Sequence, residues 1–163
     1  MPPSELRRQS LSKSLSKSLR PALRYAWAGP WSLLGLALAV PALMLGARAR
    51  HVHGVVEVSG GWLGRVAARG VGPFNVVAIT FGHVVLGSSA DMLKRLRAHE
   101  RVHVRQYERW GPLFVPAYLA DGLWQVLRGR HPYRDNRFER PAFEAEAADD
   151  TNADGAPSAT SRG

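Results

Sequence analysis

The sequence predicts an α+β fold, with a short β-sheet followed by three helices and one apolar helix ahead of them. Three observations carry this. Residues 25–47 run for 23 residues without a charge. Between positions 52 and 86, β-branched and aromatic residues concentrate and are broken by glycines, as short strands are. From Ser89 onward the spacing becomes helical, and 163 residues allow one compact domain with tails.

Residues 1–24 carry six basic side chains against Glu5, and repeat Leu-Ser-Lys-Ser so that Leu11, Leu15 and Leu19 fall four apart. Serine is a weak helix former, so this segment is expected to be a basic, flexible arm. As a helix it would instead present a leucine stripe to an anionic bilayer.

The apolar run that follows is long enough to cross a hydrocarbon core of about 30 Å. Trp27 and Trp31 stand near one end as interfacial anchors, and Arg20, Arg24, Arg48 and Arg50 flank it. It is read as a single membrane-spanning helix, and positive-inside bias places the N-terminus in the cytoplasm. Two other readings use the same residues. Ala47-Arg48-Ala49 has the form of a signal-peptidase site, and the run could equally be a core helix.

Val52, Val55, Val56 and Val58, ending at Gly60-Gly61, read as a strand and turn. Residues 74–86 read as two short strands parted at Gly82. Ser89 is placed to cap a helix with Asp91 in its first turn, running to Trp110 and stopping at Gly111-Pro112. Residues 113–127 are too short for a span and are expected as a core helix beside it. One more helix is expected over 138–148, and a disordered polar tail over 149–163.

Chemistry concentrates in Ala98-His99-Glu100-Arg101-Val102-His103. His99 and His103, four apart on a helix, project from one face and can reach one tetrahedral Zn²⁺. Glu100 is rotated about 100° from His99, placed to take a proton from water without ligating the metal. Zinc lowers the pKa of water towards about 7, which is the logic of metal-assisted peptide hydrolysis. Three fixed positions in five arise by chance in fewer than about one chain in a hundred of this size.

The chain has no cysteine, so disulfides, thiolate nucleophiles, iron–sulfur clusters and cysteine zinc fingers are excluded. A third ligand must then come from Glu108, Asp121, His131, Glu139, Glu144 or Glu146. Glu108 lies about 140° off the face of His103. Glu139 fits best, leading into a helix with the small Ala142 three residues on. Glu144, with Ala147 three residues on, stays open as an alternative.

The pattern His99-Glu100-x-x-His103-x-x-Gln106, followed by Glu139-x-x-Ala142, resembles the gluzincin class of zinc metallopeptidases, especially its minimal, membrane-associated members. The strings HERVHVRQYERWGPLF and YRDNRFERPAF are also similar to a family of short bacterial membrane-associated proteins with this signature. The resemblance covers roughly residues 52–145. It implies a small zincin-like domain, set here at 51–148, with His99, His103 and Glu139 as metal ligands and Glu100 as general base. It also implies a strand beside the cleft for extended substrate, for which residues 74–86 are the natural segment. Pro141 departs from a mid-helix ligand, because proline fits a helix only in its first turn and so sets Glu139 at the helix start. Tyr107, Tyr133, His83 and His131 are the available oxyanion donors, and Gln106 is either a partner of the site or polar surface.

The function expected is membrane-associated zinc metallopeptidase, acting on a peptide or protein substrate and in contact with membrane lipid. The alternative is a non-catalytic metal-binding or structural membrane protein. The net charge of +9 raises nucleic-acid binding, but nineteen arginines are scattered along the chain with no recognition helix or stacking pattern, so no nucleic-acid partner is expected.

Overall fold

The computed structural model describes residues 3–68 and 77–154. Helix α1 (Pro3–Met44) leads into a hairpin of β1 (Arg48–Val52) and β2 (Val55–Ser59), then helix α2 (Gly61–Ala68). A second hairpin, β3 (Ala78–Phe81) and β4 (Val84–Gly87), precedes α3 (Ala90–Arg95) and α4 (Arg97–Trp110). A 3-10 turn at Gly111–Leu113, α5 (Phe114–Leu127) and α6 (Arg140–Asp154) complete the chain. The expected mixed α+β architecture is present, with a four-stranded sheet.

The sheet has the order β1-β2-β4-β3, antiparallel at both ends and parallel between β2 and β4, which leaves β3 on an edge. Alternation gives each strand two faces. Val58, Val84 and Leu86 turn to Ala39 and Ala42 of α1, while Val55 and Val85 turn to Leu93 and Val104 of α3 and α4. The sheet thus lies between α1 and the helix bearing the histidines.

Helix α1 reaches the sheet through small residues. Ala28, Gly35, Ala39 and Ala42 are buried on one face, and a Cβ on Gly35 would stand 2.7 Å from Val84 Cβ and 2.9 Å from Phe81 Cβ. Gly29 faces open space. Gly35→Ala is therefore expected to cost about 1–3 kcal/mol by overpacking. Gly29→Ala should gain up to about 1 kcal/mol from helix propensity. Denaturant melts of the two variants check this.

Segment Ala22–Met44 contains an 18-residue stretch of mean hydropathy 1.4 and is long and apolar enough to cross a membrane. It is also packed along the domain. Cleavage beside Ala47 would strip Val58, Val84 and Leu86 of their cover.

Several expectations need correction. Residues 3–24, expected as a basic arm, are helical and form the first turns of α1; extending an existing helix adds one hydrogen bond per residue without a new nucleus, which offsets serine's low propensity. The first strand begins at Arg48, and the chain reverses at His53-Gly54, both at positive φ (49° and 84°), where one strand was expected. That is the geometry of a two-residue hairpin turn. The helix capped by Ser89 is interrupted at Leu96, so that α3 seats Leu93 against Gly87 before α4 begins. Helix α5 is not enclosed as a core helix, since Leu119, Leu123, Trp124, Val126 and Leu127 are exposed. Helix α6 continues to Asp154 because Ala145, Ala147 and Ala148 favour helix and Thr151 bonds back to the Ala147 carbonyl. Residues 74–76 of the expected strand pair, residues 155–163 of the tail and the first two residues of the expected arm lie outside the described residues.

The Gly82 turn, the Ser89 cap, whose side chain accepts from Met92 N at 3.1 Å, and the stop at Gly111 all stand where expected.

Candidate metal centre

Helix α4 carries His99 and His103 one turn apart, both buried, with their Nε2 atoms 3.3 Å from each other. Glu139 closes the third side. Its carbonyl accepts from the amides of Ala142 and Phe143, so it caps the start of α6, and Pro141 falls in the first turn as its ring requires. The Oε2 atom of Glu139 lies 3.3 Å from His99 Nε2 and 3.5 Å from His103 Nε2. The three ligand atoms fall within 4.8 Å of one another.

The outer ring atoms decide what these groups can hold. Gln106 Nε2 donates to the Phe138 carbonyl at 2.8 Å, which turns Gln106 Oε1 towards His103 Nδ1, 2.9 Å away. An oxygen accepts there, so Nδ1 carries the proton and Nε2 keeps its lone pair. His99 Nδ1 meets Glu146 Oε2 at 3.1 Å with the same consequence. Two imidazole lone pairs thus converge with Glu139 Oε2, which is buried and without a hydrogen-bond partner. Electron-pair donors so arranged repel one another unless a cation lies between them, and such imidazole–oxygen bonding is how proteins orient metal-binding histidines. The cluster fits a metal ion.

Tyr118 Oη donates to Glu139 Oε1 at 2.6 Å and so leaves Oε2 to face the histidines. Burial, with the hydrogen bond to Glu139, pushes the Tyr118 pKa up and keeps the phenol a donor. Asn136, fully buried, donates to the Tyr118 carbonyl at 3.1 Å and accepts from Phe138 N at 3.0 Å, which fixes the turn before Glu139. Asp121 is buried and accepts from Arg137 N and Nε at 2.8 and 3.0 Å, so it anchors this loop rather than a metal.

Glu100 is not one of the three converging ligands. It is buried at the sheet edge, where Thr80 Oγ1 of β3 donates to its Oε2 at 2.5 Å. Tyr107 Oη donates to the Thr80 carbonyl at 3.1 Å and holds the strand against α4. Among the described residues β3 has no strand partner other than β4.

Without a cation, a proton takes its place. Burial raises the Glu139 pKa, but the neighbouring His103 and His99 rings, which donate to it when protonated at Nε2, outweigh burial and pull the value to about 2. Burial lowers the His103 pKa, but its hydrogen bond to Glu139 and the charges of Glu139 and Glu100 raise it overall. A lowered carboxyl adds stability above its unfolded value of 4.5 and loses it as pH falls towards 2. A raised histidine adds stability below its unfolded value of 6.5 and loses it as pH climbs through the raised value. Metal-free protein should therefore be most stable in weak acid and weaken on both sides. Thermal melts across pH in chelator check this, and Glu139→Gln should flatten the acid limb.

The structure brings together His99, His103 and Glu139, and leaves Glu144 exposed on α6. Glu108 lies off the centre, as its angle predicted, 3.3 Å from His83 Nε2 and 3.7 Å from Arg24. Among the oxyanion donors, His83 is stacked on Tyr25 and Tyr107 is committed to Thr80. His131 Nδ1 accepts from the amides of Tyr133 and Arg134. Tyr133 remains, half-buried beside Glu139, where burial and that carboxylate raise its pKa and keep it protonated.

Sequence reasoning missed Tyr118 and Thr80, and counted Glu146 among the candidate ligands rather than as the partner of His99. Glu146 had a signal, for it lies seven residues beyond Glu139 and so two turns along the same face. Tyr118 had none inside an apolar run. No family model, curated protein or solved structure matches the chain.

Proposed function

We propose that the protein is a membrane-associated, zinc-dependent metallopeptidase with a minimal, gluzincin-like domain. The observation that supports it best is the convergence of two imidazole lone pairs and an unpartnered carboxylate oxygen on one helix face, with a buried glutamate next to the first histidine. Two nitrogens and one oxygen, without thiolate, suit zinc and leave it a fourth position. When bound, zinc supplies Lewis acidity and lowers the pKa of water.

The chain's residues have separable roles in this reading. His99, His103 and Glu139 hold the metal, with Glu146, Gln106 and Tyr118 fixing their orientation. Glu100 accepts the proton of the attacking water, and Thr80 engages its Oε2. Tyr133 donates to the developing oxyanion. The side of β3 away from β4 pairs with an extended peptide. Helix α1 anchors the protein as a single pass, with its N-terminus in the cytoplasm.

The burial of the ligands favours one rival, a closed structural metal site in a membrane protein without catalysis. Zinc content of the detergent-purified chain, measured alongside chelator-sensitive peptide hydrolysis, tests both. One equivalent of zinc with hydrolysis supports the peptidase, zinc alone supports the rival, and no zinc overturns both.

A further inference from the structure

We propose that α1 and α5 present one continuous lipid-contacting surface, and that the metal centre lies one helix thickness behind it. Helix α5 buries Phe114, Asp121 and Gln125 at helical spacing, and half-buried Tyr118 on the same side holds the ligand Glu139. Its opposite side exposes Leu119, Leu123, Trp124, Val126 and Leu127 by 50 to 71%. So large an apolar face on a 14-residue helix is not that of a water-facing helix.

This face continues into α1. Trp31 Nε1 donates to the Pro112 carbonyl at 3.2 Å, and the Trp27 ring covers Gly111 so closely that a Cβ there would stand 2.5 Å from it. Exposed Leu113 is the next residue. Beyond the junction, the outer side of α1 exposes Leu33, Leu34, Leu36, Leu38, Val40 and Leu43.

The occupant is an acidic phospholipid bilayer. Arg24, Arg48 and Arg50 lie exposed about the ends of the α1 run, and Arg128 and Arg130 at the end of α5. The Arg128 guanidinium sits 4.4 Å from the ring of half-exposed Trp124, which pairs a cation with an aromatic group as at a headgroup boundary. A water-soluble partner would account for the apolar face but not for basic rims on both helices.

With a helix about 10–12 Å across, the metal is then close to the acyl chains. Polypeptides that lie in or against the membrane are the substrates within its reach. That consequence rests on the peptidase reading, whereas the surface itself does not.

Because the chain has no cysteine, single sites can be labelled directly. Nitroxides would be placed by Leu119→Cys and Leu123→Cys on α5, Leu38→Cys on α1 and Glu144→Cys on α6, in nanodiscs of phosphatidylcholine and phosphatidylglycerol. Power saturation with oxygen and a nickel chelate is the readout. The α5 and α1 labels should favour oxygen several-fold, and the α6 label should favour the chelate. Chelate access at α5 with oxygen access at α1 overturns the shared surface while leaving the anchor intact. Low access to both reagents at α5 means a protein partner or second copy, and also overturns it. Chelate access at α1 as well removes the anchor together with the surface. None of these readings depends on hydrolysis or zinc.

Discussion

Replacing Glu100 with glutamine should leave zinc binding intact and lower peptide hydrolysis by at least about 100-fold. Glutamine keeps the size of the side chain and can still accept from Thr80 Oγ1, so the tie to β3 survives. What is lost is a site for a proton. Glu100 is not one of the three converging ligands, so one equivalent of zinc should remain by elemental analysis. Steady-state hydrolysis of a generic peptide library, wild type against Glu100→Gln at equal zinc loading, makes the measurement. Equal rates of hydrolysis would remove Glu100 from the chemistry.

Loss of metal should produce the second large effect. His99→Ala and Glu139→Ala each delete a ligand from a three-membered set, and both should purify without zinc, whereas exposed Glu144→Ala should keep its full equivalent. Metal held only by the folded chain adds stability by mass action, about 2.7 kcal/mol at a hundredfold excess over Kd. In a chain of this size that is about 5–10 °C in melting temperature. Wild type and Glu144→Ala should show that rise on adding zinc and lose it to chelator, while the two ligand variants should show neither. A rise persisting in Glu139→Ala would move the third ligand elsewhere.

The metal cluster was more legible in the sequence than its surroundings, for a physical reason. Spacing on a helix fixes angles, so the four-residue step from His99 to His103 settles that they share a face. It also settles that Glu108 does not. Glu139 was reachable through Pro141, which confines the residues before it to a helix start. Tyr118 and Thr80 were not reachable, since each acts through a contact between elements far apart in sequence. The same limit applied to α5. Its apolar residues pointed to burial, but composition cannot say on which side of a helix the domain ends. The break at Leu96 had no marker, because neither glycine nor proline stands there. The His53-Gly54 reversal did carry one, a glycine able to take positive φ amid valines.

His103 and Glu139 stand 36 positions apart, with the whole of α5 between them. Bringing such a pair together costs about 3 kcal/mol in loop-closure entropy. A chain without cysteine has no covalent means of keeping them joined. An ion shared by both would be a reversible cross-link of the folded chain, stabilising it by binding rather than by restraining the unfolded state, and set by metal supply and acidity rather than by redox state. Glu139 stands just ahead of α6, so an ion held there would tie α4 to a helix that follows α5 in the chain.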